Sequence, residues 1–234
     1  MFLHQAHVVL GITGGIAAYK SADLASKLVQ AGAQVDVVMT KAATHFVGPL
    51  TFQALTGRPV HTTMFRLLEQ TEMAHLSLAW RANVLVIAPA TANTLAKLAH
   101  GIADNLLCAT ALASSAPLVL APAMDAGMWE HPSTQENLEI LRRRGAILVG
   151  PGEGRLASGR IGCGRLAEVP EILGTISMLT LAPSSSVPRA ATPSRANFMA
   201  SAWLVVRSSF SVIFTYIVPS LTRFSSSEPM VVKT

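Results

Sequence analysis

His7-Val8-Val9-Leu10-Gly11-Ile12-Thr13-Gly14-Gly15-Ile16-Ala17-Ala18-Tyr19-Lys20 opens as an apolar run, breaks at three glycines and resumes at helical spacing. A short, β-branched run of this kind reads as a strand buried on both faces. The glycines permit a tight turn. The helical spacing that follows, over residues 16–31, stops at Gly32, a residue suited to ending a helix. The stretch is therefore one strand-turn-helix unit. Moving outward, comparable apolar runs lie at residues 8–12, 35–39, 84–88, 118–121 and 147–149, with helical patterns between them. Strands alternating with helices predict an α/β fold, a Rossmann-like doubly wound parallel sheet. Ser133-Thr134-Gln135-Glu136 fits a capping box for a helix running to Gly145.

Composition narrows the class. The chain has 234 residues, half of them hydrophobic, and carries a net charge of +5. Residues 1–181 hold 13 Lys+Arg against 12 Asp+Glu, whereas residues 182–234 hold 5 against 1. The first part is thus nearly neutral, which argues against a nucleic-acid partner. Residues 1–181 read as one domain. Residues 182–234 lack α/β rhythm and motifs and read as a linker or disordered tail. Arg207 interrupts the apolar stretch 202–218, so a membrane span is not expected. With only Cys108 and Cys163, no disulfide framework is expected, and the start of the chain shows no secretory pattern. A cytoplasmic location follows from these two observations.

Five places carry candidate chemistry. Gly14, Gly15 and Ile16 form a turn at a helix start, where free N–H groups and the helix dipole favour a phosphate. The turn matches neither G-x-G-x-x-G nor the Walker pattern, and it reads equally well as a tight connection without a ligand. Thr40-Lys41 and Thr91-Ala92-Asn93-Thr94 each follow a predicted strand. Their hydroxyl and amide groups suit either ligand contact at the sheet's carboxyl edge or simple helix capping. His75, in Met73-Ala74-His75-Leu76, has a side chain able to act as a general base near neutrality, or a structural role on a helix face. Asp125, in Pro122-Ala123-Met124-Asp125-Ala126-Gly127-Met128-Trp129, is an acid at the ligand edge or a helix cap. Gly154-Arg155-Leu156-Ala157-Ser158-Gly159-Arg160-Ile161-Gly162-Cys163-Gly164-Arg165-Leu166 reads as a mobile cationic loop able to close over an anionic substrate, or as an ordinary basic surface loop. No metal set is evident.

Taken together over residues 5–180, these motifs resemble the flavin-dependent cysteine decarboxylases. The resemblance implies non-covalent FMN and homo-oligomers built on trimers, with the site between subunits. It implies the substrate 4′-phosphopantothenoylcysteine, an intermediate of coenzyme A biosynthesis. It places Gly14, Gly15, Ile16, Thr40, Lys41, Thr91, Ala92, Asn93 and Thr94 against FMN, and makes His75 the catalytic histidine. Asp125 stands where the family has an asparagine that holds the substrate carboxylate. Met128, Arg155, Leu156, Ala157 and Arg165 fall in the substrate-binding motifs. Ser158 stands where the family has a cysteine proton donor, and Cys163, five residues on, is a possible substitute. Two other readings share this scaffold, a flavin prenyltransferase and a non-catalytic FMN-binding regulator.

Overall fold

A computed structural model describes residues 3–65 and 73–181. The expected tail, 182–234, lies outside the described residues. Six parallel strands form one sheet: β1 (His7–Ile12), β2 (Gln34–Met39), β3 (Val60–His61), β4 (Val84–Ala90), β5 (Leu118–Pro122) and β6 (Ile147–Leu148). Their order is β3-β2-β1-β4-β5-β6. This is the Rossmann-like doubly wound arrangement expected from the sequence.

The sheet is buried on both faces because alternate side chains of a strand point opposite ways. Val8, Leu10 and Ile12 of β1 join Val35, Val37 and Met39 of β2 in one core, while Val9 and Val38 enter the other. The first core is covered by Leu24 and Leu28 of α1 (Lys20–Gln30), Phe52 of α2 (Pro49–Thr56), and Ile172 and Ile176 of α8 (Val169–Leu181). The second is covered by Leu78 of α3 (Ala74–Arg81), Leu95 of α4 (Ala92–His100), Leu107 of α5 (Leu106–Ala113) and Leu138 of α7 (Pro132–Arg143). Each such side chain contributes about 1.5–3 kcal/mol on burial. Gly11 is needed where β1 meets α5, since a Cβ there would overlap the Leu107 side chain. Among the described residues, no helix is long and apolar enough to cross a membrane.

Four local expectations differ from the structure. The helix expected over residues 16–31 is divided into a 3-10 turn (Ile16–Tyr19) and α1. The tighter turn, closed by Ala18 N–H donating to the Gly15 carbonyl at 3.0 Å, seats Ala18 in the core. The capping box does not form. His131 caps α7 instead, its Nδ1 accepting from Ser133 N–H at 3.2 Å. Pro132 starts that helix ahead of Ser133, because its fixed φ suits the first helical position. The edge strand β3 was not anticipated. It is secured by Arg58, whose Nε donates to the buried Asp36 Oδ1 at 2.8 Å. Finally, the stretch read as a mobile loop is an antiparallel hairpin of β7 (Gly152–Arg155) and β8 (Ile161–Arg165). Its order comes from backbone pairing rather than from apolar side chains.

The sheet order reverses between β1 and β4, since β2 and β3 lie to one side of β1 and β4 to the other. Such a reversal leaves a crevice at the carboxyl ends of the strands.

Candidate active site

The crevice holds a cavity of about 580 Å³, in the range of cofactor and substrate sites. Three strand ends and the hairpin supply its wall. After β1 come Gly14, Gly15, Ile16, Ala17, Tyr19 and Lys20. After β4 come Thr91 and Ala92. The β5 loop supplies Asp125 and Met128, and the hairpin supplies Arg155, Leu156, Ala157, Ser158 and Arg165.

The first and third turns are locked together. Thr13 is buried, donates its hydroxyl to the Pro89 carbonyl at 2.7 Å and accepts Thr91 N–H at 3.1 Å. Ser21 similarly donates to the Ala88 carbonyl at 2.6 Å. The two glycines differ in purpose. A Cβ on Gly14 would overlap Ala42, so that glycine serves the packing of the turn on the β2 loop. A Cβ on Gly15 would meet only Thr91 Cγ2, at 3.7 Å, so Gly15 keeps the cavity wall low. The helical turn after Gly15 and helix α4 after Thr91 both begin without a side-chain cap. Both therefore present backbone donors suited to an anion at the crevice. Roominess at Gly15 and uncapped helix starts at two adjoining turns fit a phosphorylated, planar cofactor such as FMN.

The substrate side is built differently. Asp125 caps α6 (Ala126–Glu130), its Oδ1 accepting from Gly127 N–H at 3.1 Å. Its other oxygen, Oδ2, accepts the Ser158 hydroxyl at 2.6 Å. The Ser158 bond, then the Gly127 bond, holds the Asp125 carboxyl below its usual range, with Arg160 adding to the effect. Asp125 is thus an ionised group facing the cavity, and the hairpin tip is tied to it. The base of the hairpin is tied as well, since Met124 N–H donates to the Gly164 carbonyl at 2.9 Å. Gly164 has φ of 145°, and a Cβ there would overlap the Met124 carbonyl oxygen, so only glycine fits.

The other expected residues lie off this wall. His75 sits in the first turn of α3, half-buried, and its buried Nδ1 makes no hydrogen bond among the described residues. Thr40 accepts Ala43 N–H at 3.3 Å and donates its hydroxyl to the Ile12 carbonyl at 3.4 Å, without being the cap of the short helical turn that follows, while Lys41 is exposed. Thr94 is buried and its hydroxyl lies 3.2 Å from that of Thr91. Asn93 is exposed at the start of α4. Cys163 is turned from the cavity, its Sγ donating to the Pro151 carbonyl at 3.7 Å. Burial pushes its thiol pKa up, with Glu153 and Glu130 adding to the shift. Cys108 is a buried residue of α5, and both cysteines are free. No cluster of metal-binding side chains occurs among the described residues.

Several wall residues were not singled out as site residues in the sequence, Ala17, Tyr19 and Lys20 among them. Lys20 stands there only as the last residue of the glycine-turn motif, with no role assigned, yet its side chain is only 17% exposed and lines the cavity. Its position five residues after Gly15 was the available signal.

Residues 3–181 match the Flavoprotein family. The chain is 45% identical over 186 residues to the coenzyme A biosynthesis bifunctional protein CoaBC of Bacillus subtilis, covering 80% of this chain and 46% of that protein. It is 46% identical over 166 residues to CoaBC of Vibrio cholerae, covering 71% and 42%. The chain therefore spans less than half the length of these curated relatives. Among solved structures, the FMN-dependent cysteine decarboxylase SpaF superposes with a TM-score of 0.68 at 36% identity, covering 77% of this chain and 99% of that one. A cysteine-to-serine mutant of PPC decarboxylase complexed with pantothenoylaminoethenethiol superposes with a TM-score of 0.67 at 34% identity, covering 75% and 98%.

Proposed function

Because the chain belongs to the Flavoprotein family, we propose that it is an FMN-dependent decarboxylase. Its substrate is 4′-phosphopantothenoylcysteine and its product 4′-phosphopantetheine, a step of coenzyme A biosynthesis. The observation that supports this most is the single cavity wall shared by the cofactor-type turns (Gly15, Ile16, Thr91, Ala92) and the hairpin residues Arg155–Ser158.

Gly14, Gly15, Ile16, Thr91 and Ala92 hold FMN, with Thr40, Lys41, Asn93 and Thr94 at the neighbouring strand and helix ends. When bound, FMN supplies a reversible two-electron acceptor for the thiol-bearing carbon, which places an electron sink beta to the carboxylate. The chain supplies binding and proton transfer. Arg155 and Arg165 on the wall attract the anionic substrate. Met128 and the backbone of Leu156 and Ala157 shape its seat. His75, whose buried Nδ1 makes no hydrogen bond among the described residues, accepts the proton lost as the thiol carbon is oxidised. Ser158 stands at the proton-donor position, but its hydroxyl is bonded to Asp125. Cys163 faces Pro151 rather than the substrate.

His75 does not line its own chain's cavity, so we place it in the cavity of a neighbouring copy within a homotrimer or a multiple of trimers. The surface around it supports this. Met73 and Trp80 on either side of α3 are 66% and 53% exposed, and Leu112 of the adjoining α5 is 66% exposed. Three large apolar side chains on one packed helix pair suit a subunit contact.

The test is direct. Purified protein is expected to be yellow and to release carbon dioxide from 4′-phosphopantothenoylcysteine. The mass of the thiol product separates the saturated product from one short of two hydrogens. A colourless protein that gains no FMN on reconstitution overturns the proposal. Prenylated flavin instead of carbon dioxide would establish a prenyltransferase, and FMN binding without turnover a regulator.

A further inference from the structure

The charged groups around the cavity are not equally engaged. Asp125 is bonded twice, to Ser158 and Gly127. Arg165 donates through Nη2 to Glu168 Oε1 at 2.5 Å. Lys20 differs from both. Its Nζ is buried and makes no hydrogen bond among the described residues. Its nearest carboxylate oxygen, the same Glu168 Oε1, is 3.7 Å away, an ion-pair contact beyond good hydrogen-bond geometry. An ammonium has three donors to satisfy. Burying it with none satisfied is costly, and one carboxylate oxygen shared with an arginine recovers only part of that cost.

A buried cation that lines a cavity and lacks a hydrogen-bond acceptor among the described residues is a place prepared for an anion. Lys20, Arg165 and Glu168 together carry one net positive charge at one end of the wall, whereas ionised Asp125 makes the β5 loop repulsive to a carboxylate. Resting on the function proposed above, we propose that Lys20 seats an oxyanion of the substrate, its carboxylate or its phosphate, beside the Arg165–Glu168 pair. Lys20, the first residue of α1, is then a substrate-binding residue whose head supplies charge-assisted hydrogen bonds.

The FMN-loaded protein, with Lys20→Met and Lys20→Arg variants, tests this by calorimetry against three ligands whose S-methylated sulfur prevents oxidation. S-methyl phosphopantothenoylcysteine carries both anions, S-methyl pantothenoylcysteine only the carboxylate, and S-methyl phosphopantetheine only the phosphate. In Lys20→Met, Kd for the first ligand is expected to rise about 10- to 100-fold, the size of a lost charge-assisted hydrogen bond. Lys20→Arg is expected to recover most of that loss. The single-anion ligand that shows the same weakening identifies the group seated. FMN content is expected to stay unchanged, and the ligand-free Tm of Lys20→Met to hold or rise, because an unsatisfied buried charge has been removed. Equal Kd values for wild type and Lys20→Met overturn the assignment while leaving the decarboxylase reading intact. Loss of FMN from Lys20→Met also overturns it, by placing the lysine on the cofactor. A wild-type protein that binds none of the three ligands overturns both readings.

Discussion

The two halves of the cavity wall are made by different means. The turns after β1 and β4 are fixed from within. Thr13 and Ser21 are buried and bond the carbonyls of Pro89 and Ala88, and Gly14 lies against Ala42. The hairpin and the Asp125 loop are fixed from outside the core, by backbone pairing, by the Met124–Gly164 bond and by an exposed Ser158–Asp125 bond. A rigid half suits a cofactor that stays, and a half held by a few solvent-facing bonds suits a substrate that enters and leaves. Both departures from the family pattern, Asp125 and Ser158, fall in the second half and bond to each other. A change at one is therefore coupled to a change at the other.

The largest effect lies outside both halves. His75→Ala is expected to lower kcat by about 10²–10⁴-fold, the range for loss of a general base, with FMN still bound. Flavin absorbance and carbon dioxide release check the two parts separately. Retained activity would show that the cavity wall is sufficient by itself. Mixing His75→Ala with a variant damaged in its own cavity, such as Gly15→Trp, is expected to restore some turnover if the histidine serves a neighbouring copy.

Next come paired glycine substitutions, which separate the halves. Gly14→Val sets a branched side chain against the Ala42 backbone, whose carbonyl carbon is 2.9 Å from the Cβ position. The neighbour is backbone and cannot move cheaply, so a loss of about 1–3 kcal/mol and of FMN is expected. Gly164→Val meets the Met124 carbonyl at a φ of 145°. There the hairpin should detach while FMN stays, raising KM more than it lowers cofactor content. Equal FMN loss in both variants would mean that the halves are one cooperative unit.

The same contrast governs what was legible from sequence. The four long strands β1, β2, β4 and β5, the short β6 and both cores could be read because apolar side chains in short runs or at regular spacing drive their burial. Glycine at 32 ends its helix as expected, with φ of 97°. The hairpin could not be read, since Gly152–Arg155 and Ile161–Arg165 hold four glycines and few β-formers, and backbone pairing leaves no side-chain signal. β3 was hidden for a related reason: Val60–His61 offers a single apolar residue, whereas the equally short β6 lies in an apolar run. Of the site, the cavity gathers the glycine turn, Thr91, Ala92, Asp125, Met128, Arg155, Leu156, Ala157, Ser158 and Arg165, which lie at strand ends or beside them. Lys20 was missed because the residues that share its surroundings, Glu168 and the hairpin's Arg165, are far away in sequence.

A smaller effect is expected at Asp125. Replacing the ionised carboxylate by a neutral amide, Asp125→Asn, removes a repulsion toward the substrate carboxylate and adds a donor. KM is expected to fall by about three- to tenfold, and the fall should shrink in high salt. A rise in KM would mean that the carboxylate is itself a substrate ligand, and would move the anion seat away from Lys20.

The smallest effect isolates the Ser158–Asp125 tie. Asp125 has its pKa lowered from an ordinary value of 3.8, first by the Ser158 bond. A carboxyl whose folded pKa is depressed contributes stability above its unfolded pKa, and that contribution is lost as pH falls through the folded value. Ser158→Ala removes the main cause of the depression. Wild type is therefore expected to melt slightly above Ser158→Ala at pH 6, by about 1 °C for so exposed a contact. The gap should begin to close as pH falls below about 4 and vanish once Asp125 is protonated in both proteins. Asp125→Asn serves as the control, because it has no carboxyl to titrate at this position and its gap to Ser158→Ala,Asp125→Asn should not depend on pH over that window. A wild-type gap that persists through acid would show that Ser158 holds the hairpin tip without needing an ionised Asp125.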